Sequence, residues 1–135
     1  MLSFNDLNWL AIVVAALVFF AVGAVWYQPK VMGSRWMKAV EVDPSKAAPN
    51  PWIFIGTFVA YFLMAMVLAM LAQGMGASSF GDGLVLGLCT GVVFVGAQAW
   101  VNASYEGRSM NLVLVNGGVG VIGHVLMAVI VTLWT

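Results

Sequence analysis

The chain has 135 residues, of which 63% are apolar and 7% charged, and its five basic residues balance five acidic ones. Soluble domains carry charge on about a quarter of their residues, so this composition excludes a soluble fold and predicts a membrane protein. A net charge of zero provides no basic surface for nucleic acid.

Four uninterrupted apolar segments predict four membrane-spanning helices. They cover roughly residues 8–27, 52–73, 83–102 and 111–134, and every charged side chain lies outside them. Each contains about 20 residues or more, enough for a helix to cross a hydrocarbon core about 30 Å thick. We therefore expect an all-α, four-helix transmembrane bundle, with residues 1–135 forming one integral membrane domain.

The first segment is expected to stay in the mature protein. It has no basic residue in front of it and is longer than the apolar core of a signal peptide. Asn5 or Asp6 is predicted to cap this helix, because their side-chain oxygens accept hydrogen bonds from free amide groups. Pro29 is predicted to end it soon after Tyr27.

Residues 31–41 predict a short amphipathic helix between the first two spans. We favour a helix that lies on the inner leaflet with Trp36 as its anchor, because basic residues beside anionic lipid explain the pattern. The alternative is a lid or docking element. The apolar side carries Met32, Trp36, Ala39 and Val40, and the polar side carries Arg35, Lys38 and Glu41.

The third segment places Gly83, Gly87 and Gly91 at four-residue spacing, and Gln98 and Asn102 are predicted to continue this face. Small residues at this spacing let helix backbones approach closely in lipid, so a packing contact is the favoured interpretation. The alternative is the wall of a narrow path with the two amides at its inner mouth.

The fourth segment presents Asn116, Gly120, Gly123 and His124 on one side. His124 is the only titratable residue of this segment, and an ionisable residue inside a membrane is a functional candidate. The favoured interpretation is a neutral imidazole bonded to a neighbouring helix, since burial disfavours the charged form. A haem or chlorophyll ligand, a proton relay and a metal ligand are alternatives. With no second ligand inside a span, we predict neither metal nor cofactor.

Gln98 and Asn116 are predicted to meet in a polar contact. Helix three descends towards the cytoplasm and helix four returns, so both amides lie ~6–8 Å inside their helix ends. An amide facing lipid would lack a partner, whereas two amides can satisfy each other directly or through one water.

Basic residues predict the orientation. The two loops on one side of the membrane carry all five, and the other side carries none. Basic residues of short loops stay in the cytoplasm, so both termini are expected on the opposite side. Within the basic side, Glu106 is expected to pair with Arg35 or Lys38. The five basic residues are Lys30, Arg35, Lys38, Lys46 and Arg108.

Two stretches resemble a bacterial family called domain of unknown function 1761. Gly23-Ala-Val-Trp26-Tyr27-Gln-Pro29, preceded by Asn8 and followed by Trp36, is similar to its N-terminal signature. Trp100, Glu106, Arg108 and a glycine-rich last helix resemble its C-terminal half. The resemblance implies a small four-helix protein of the bacterial cytoplasmic membrane, and it implies no activity.

Enzyme chemistry is not predicted, because the chain has no zinc-protease motif, no nucleophile elbow and no carboxylate pair inside a span. The leading hypothesis is a non-enzymatic packing, accessory or lipid- and partner-binding subunit, self-associated or part of a larger membrane complex. One alternative is a homo-oligomeric channel or transporter for a neutral or weakly charged solute, lined by Gln98, Asn102, Asn116 and His124. A third hypothesis is a haem- or pigment-binding subunit that uses His124.

Overall fold

The computed structural model describes residues 1–40 and 50–134, and within them the chain is all-α, with no strand. Four helices are long and apolar enough to cross a membrane, as the sequence predicts: Trp9–Trp26, Pro51–Met75, Phe80–Tyr105 and Met110–Leu133. The elements in chain order are α1 (Trp9–Trp26), a π-helical turn (Pro29–Gly33), α2 (Ser34–Val40), α3 (Pro51–Met75), α4 (Phe80–Leu88), a π-helical segment (Cys89–Gly96), α5 (Ala97–Tyr105) and α6 (Met110–Leu133). We call α4, the π segment and α5 together the third spanning helix.

The cap of α1 differs from the prediction. Asn8 caps the helix, and its side-chain oxygen accepts from the Ala11 amide at 3.1 Å. Asp6 has the left-handed φ of 62°, and Leu7 is buried in the core. The prediction of Asn5 or Asp6 was therefore wrong, because the chain first turns to bury Leu7 and only then becomes helical.

The helical segment after α1 begins at Pro29, earlier than the predicted residue 31, and it begins with a π turn instead of an α-helical one. Pro29–Gly33 forms a π turn, and Ser34–Val40 continues as α2. A Cβ at Gly33 would collide with the backbone of Tyr27 and Gln28, so only glycine fits there. Trp36 packs edge-on against Tyr27, with ring centroids 5.9 Å apart. Glu41 and Lys46 lie outside the described residues.

Helix α6 is the central helix of the bundle. It packs against α1, α3 and the third spanning helix, and α1 also packs against α3. The most deeply buried large side chains, Ile12, Val115, Met127 and Thr132, are on α1 and α6. Because α3 meets the third spanning helix over only a small area, that helix is attached mainly through α6.

The attachment is a backbone-to-backbone contact at three glycines. A Cβ at Gly83 would lie 2.8 Å from the Val129 Cα, and one at Gly91 would lie 2.9 Å from the Val121 Cα. Gly87, between them, would meet the Val125 Cα more closely still. Side chains at these positions would separate the helices, so the glycines set how closely they approach.

The π segment keeps this contact running along the helix. In an ideal α-helix of 3.6 residues per turn, residues spaced four apart turn about 40° around the helix axis at each step, so they drift away from a neighbouring helix. The π turns have more residues per turn, so they reverse this drift. The contact therefore continues beyond Gly91. Ala103 is buried, and the Ala99 Cβ would lie 3.8 Å from a Cβ added to Gly117 of α6.

Gln98 and Asn102 do not continue the glycine face, contrary to the prediction, and both are exposed. The prediction assumed one uniform helix across residues 83–102. The eight-residue π segment Cys89–Gly96 changes the register between the glycines and the amides. Ala99 and Ala103 occupy the positions that the two amides were expected to hold.

Replacing Gly87 by leucine should destabilise the bundle. The side chain would enter the closest point of the contact with α6, and overpacking of this kind costs about 1–3 kcal/mol or more. Gly56→Leu is the matched control, because a Cβ at Gly56 in α3 meets nothing within 4 Å. In detergent, the midpoint temperature of thermal unfolding should fall strongly for Gly87→Leu and stay near that of the unmodified protein for Gly56→Leu. Equal midpoint temperatures for the two variants would contradict the close contact.

Candidate functional site

His124 lies near the middle of α6 and is 7% exposed. Its Nδ1 is 2.9 Å from the Gly120 carbonyl oxygen of the same helix. A carbonyl can only accept, so Nδ1 carries the proton and donates it. In the neutral ring this leaves a bare lone pair on Nε2. The sequence predicted a bond to a neighbouring helix, and the structure instead shows a bond within α6.

A groove of about 360 Å³ lies beside His124, between α3 and the third spanning helix. One wall consists of five apolar side chains of α3 between Leu63 and Leu71. The other wall is formed by Thr90 and Phe94 of the π segment. The Thr90 hydroxyl donates to the Leu86 carbonyl at 2.8 Å. The groove therefore has apolar walls and two polar atoms at most, at Thr90 and His124.

A second cavity, of about 510 Å³, opens at the end of the third spanning helix nearest Arg108, which we call the basic end of the bundle. It is lined partly by Gln98, Asn102, Glu106 and Asn116. Gln98 and Asn116 share this cavity but are not bonded directly to each other. The Gln98 amide donates to the Asn102 oxygen at 2.8 Å, one turn along the same helix. The direct form of the predicted contact is therefore wrong, and the form bridged by one water stays a prediction.

The partner of Asn116 comes from α1. The Tyr27 hydroxyl donates to the Asn116 side-chain oxygen at 2.8 Å, and the Trp26 indole donates to the Val115 carbonyl at 2.9 Å. Trp26 also lies over Gly118, where a Cβ would be 3.2 Å from the indole ring. These two adjacent aromatic residues thus fasten the C-terminal end of α1 to α6.

The centre of the bundle is filled by side chains. Phe19 stacks on Tyr61 with centroids 3.9 Å apart, and its ring occupies the space that a side chain at Gly123 would need. Ile12 and Met127 are fully buried on the side of this layer nearer the N-terminus of α1. A small cavity of about 150 Å³ near Asn8 lies beyond the same layer. A solute path through one chain would have to open this packing.

The predicted interfacial residues Arg35 and Lys38 lie at the basic end of the bundle. Arg35 and Lys38 line a cleft of about 380 Å³ that also includes Ser109 and Asn111 at the start of α6. Glu106 pairs with Arg108 of its own loop, at 3.6 Å, rather than with Arg35 or Lys38. Both partners are exposed, so the pair contributes about 0–1 kcal/mol.

Across residues 1–40 and 50–134, no three His, Cys, Asp or Glu side chains come close enough together to hold a metal ion. The sole cysteine, Cys89, is exposed on the third spanning helix.

Removing the Tyr27 hydroxyl should weaken the attachment of α1 to α6. Tyr27→Phe keeps the ring against Trp36 but loses the bond to Asn116. Measured hydrogen bonds in membrane bundles average about 0.6 kcal/mol and reach ~1.7 kcal/mol. A double-mutant cycle with Asn116→Ala, followed by unfolding in mixed micelles, should give a coupling of that size. Tyr105→Phe is the control, because Tyr105 is 90% exposed; zero coupling would show that the bond is not formed.

Comparison with known proteins identifies the family. No curated protein and no solved structure matches the chain. A sequence model of the family described as "Protein of unknown function (DUF1761)" matches residues 10–132, nearly the whole chain. The match includes both the aromatic pair that fastens α1 and the glycines that seat the third spanning helix. The chain therefore belongs to the DUF1761 family.

Proposed function

We propose that this protein is a non-enzymatic accessory subunit of the bacterial cytoplasmic membrane that binds another transmembrane helix through its third spanning helix. The observation that carries the proposal is the exposed amide pair of Gln98 and Asn102. The pair lies beside the face of the third spanning helix that packs against α6, at the edge of that contact.

The depth of Gln98 makes its exposure costly, whereas Asn102, three residues before Tyr105, lies roughly at the edge of the hydrocarbon. The third spanning helix has 26 residues, so it is about 39 Å long at 1.5 Å per residue. Centred on a hydrocarbon core of about 30 Å, it projects roughly 4–5 Å at each end. Gln98 is seven residues before Tyr105, which places it roughly 6 Å inside the hydrocarbon.

The internal hydrogen bond satisfies only part of the two amides. Within the described chain, the Gln98 oxygen and the Asn102 amino group have no further partner. At the depth of Gln98, lipid tails offer no donor to its oxygen, and an unsatisfied polar group in hydrocarbon costs several kcal/mol. A partner helix with a donor at this depth removes the cost. A second copy of the chain carries amide donors at Gln98 and Asn102, so self-association is the simplest form of the proposal.

A photocrosslinker at Phe94 tests the partner. Phe94 is 71% exposed and lines the same cavity as Gln98, so p-benzoylphenylalanine at this position should capture a protein in native membranes. Phe54 on α3 is the matched control, since it is also phenylalanine and 53% exposed. Mass spectrometry of the adduct distinguishes a second copy from another subunit.

Replacement of both amides by leucine should remove the adduct at Phe94 and leave the bundle folded, because the loss of exposed polar groups does not disturb the contact with α6. Thr57→Val is the control variant, since the Thr57 hydroxyl donates within its own helix at 2.7 Å. Lipid adducts alone at Phe94, or an unchanged protein adduct in the double leucine variant, would contradict the proposal.

A solute path is the second candidate, favoured by the size and polar lining of the inner cavity. Since Phe19 and Met127 fill the centre of one chain, the path would run between copies, along Gln98, Asn102 and Asn116. It therefore requires the same assembly. Flux of small neutral solutes into liposomes that contain the crosslinked oligomer would support it.

Both termini are proposed to lie outside the cytoplasm. The basic residues of the two inner loops support this orientation, as do the aromatic side chains near the helix ends. A C-terminal alkaline phosphatase fusion should be active, whereas the same fusion within the loop after Tyr105 should be inactive. The opposite pattern of activities would reverse the orientation.

A further inference from the structure

We propose that the groove beside His124 is a binding site for a small membrane-soluble molecule that carries a hydroxyl group, with Nε2 of His124 accepting its hydrogen bond. This site is separate from the exposed amide pair, and either can fail without the other.

The imidazole is held with one nitrogen occupied and one free. Nδ1 donates to the Gly120 carbonyl, so Nε2 is the acceptor, and none of the described residues donates to it. Among the described residues, one side-chain polar atom is fully enclosed and also lacks a hydrogen-bond partner, the Thr132 hydroxyl oxygen. Nε2 lacks a partner but is not such an atom, so it is not fully enclosed. The groove is the space that His124 lines, so Nε2 opens into it.

The polar atoms of the groove require a donor. The Thr90 hydroxyl already gives its proton to the Leu86 carbonyl, so it presents only lone pairs. His124 also presents a lone pair. A ligand oxygen without a proton finds no donor here, whereas a hydroxyl can donate to Nε2. The site should therefore distinguish an alcohol or phenol from its ether.

The position favours an uncharged ligand. His124 is 14 residues after Met110, which places it about 21 Å from the inner end of α6. The described basic side chains lie in the inner loops, so none is close enough to neutralise the carboxylates of a metalloporphyrin. Apolar walls on α3 and at Phe94 fit a hydrocarbon body. An acyl chain alone would fill the groove but leave Nε2 without a partner.

Nitrogen NMR can test the site directly, because His124 is the only histidine. The full chain, labelled with ¹⁵N-histidine, is placed in phosphatidylcholine nanodiscs, which contain no hydroxyl donor. Without ligand, Nδ1 should be protonated and Nε2 bare. Addition of 4-hexylphenol should move the Nε2 resonance upfield, and 4-hexylanisole should not. The phenol should bind about two- to tenfold more tightly than the ether, as one neutral hydrogen bond allows.

A second pair of probes, 1-decanol and its methyl ether, identifies the source. A response to the phenol alone indicates a quinol-like ligand, and a response to both alcohols indicates a hydroxyl-bearing lipid. Met64→Trp, which fills the groove from α3, should abolish the response while the ¹⁵N spectrum without ligand stays unchanged. Equal responses to alcohol and ether, no response to any probe, or an Nε2 already hydrogen-bonded by a protein donor would overturn the proposal.

Discussion

The contact between the third spanning helix and α6 is the constraint on which the rest of the structure depends. Lipid offers no hydrophobic force to press helices together, so association depends on close van der Waals contact. The backbones of the third spanning helix and α6 meet at Gly83, Gly87 and Gly91. The glycines of α6 in turn leave space for the side chains of Phe19, Val95 and Trp26. Because α6 touches every other spanning helix, its small residues set the geometry of the whole bundle.

The π segment connects this packing to both proposed sites. It keeps a four-residue stripe against α6 from Gly83 to Ala103, which a uniform α-helix would rotate away. The same change of register turns Gln98 and Asn102 outwards. It also places Thr90 and Phe94 at the groove beside His124. The π segment therefore accounts both for the exposed polar pair near Tyr105 and for the groove beside His124.

The residues that resemble the family signature have a structural explanation. Trp26 and Tyr27 donate hydrogen bonds to consecutive residues of α6, Val115 and Asn116. Gly33 permits the π turn Pro29–Gly33, because a Cβ there would collide with the preceding backbone. Asn8 caps α1 and also donates to the Trp134 carbonyl at 2.9 Å, so it ties the N-terminal end of α1 to the C-terminal end of α6. These positions fasten both ends of α1 to α6. The N-terminal signature accordingly describes how α1 is held in the bundle, and it includes neither the amide pair nor the groove beside His124.

The sequence by itself determined the four helices and the small residues that let them approach, because hydrophobic length and glycine spacing are local properties of the chain. It also identified His124 as the polar group at mid-membrane. Only the tertiary structure decided the partners. Asn116 bonds to Tyr27, 89 residues away in the chain, and the caps and the faces of Gln98 and Asn102 depend on a buried Leu7 and on a π segment. Hydrogen-bond partners between helices depend on how each helix is rotated about its axis. The π segment changes that rotation, and the hydrophobic pattern of the sequence does not reveal a π segment.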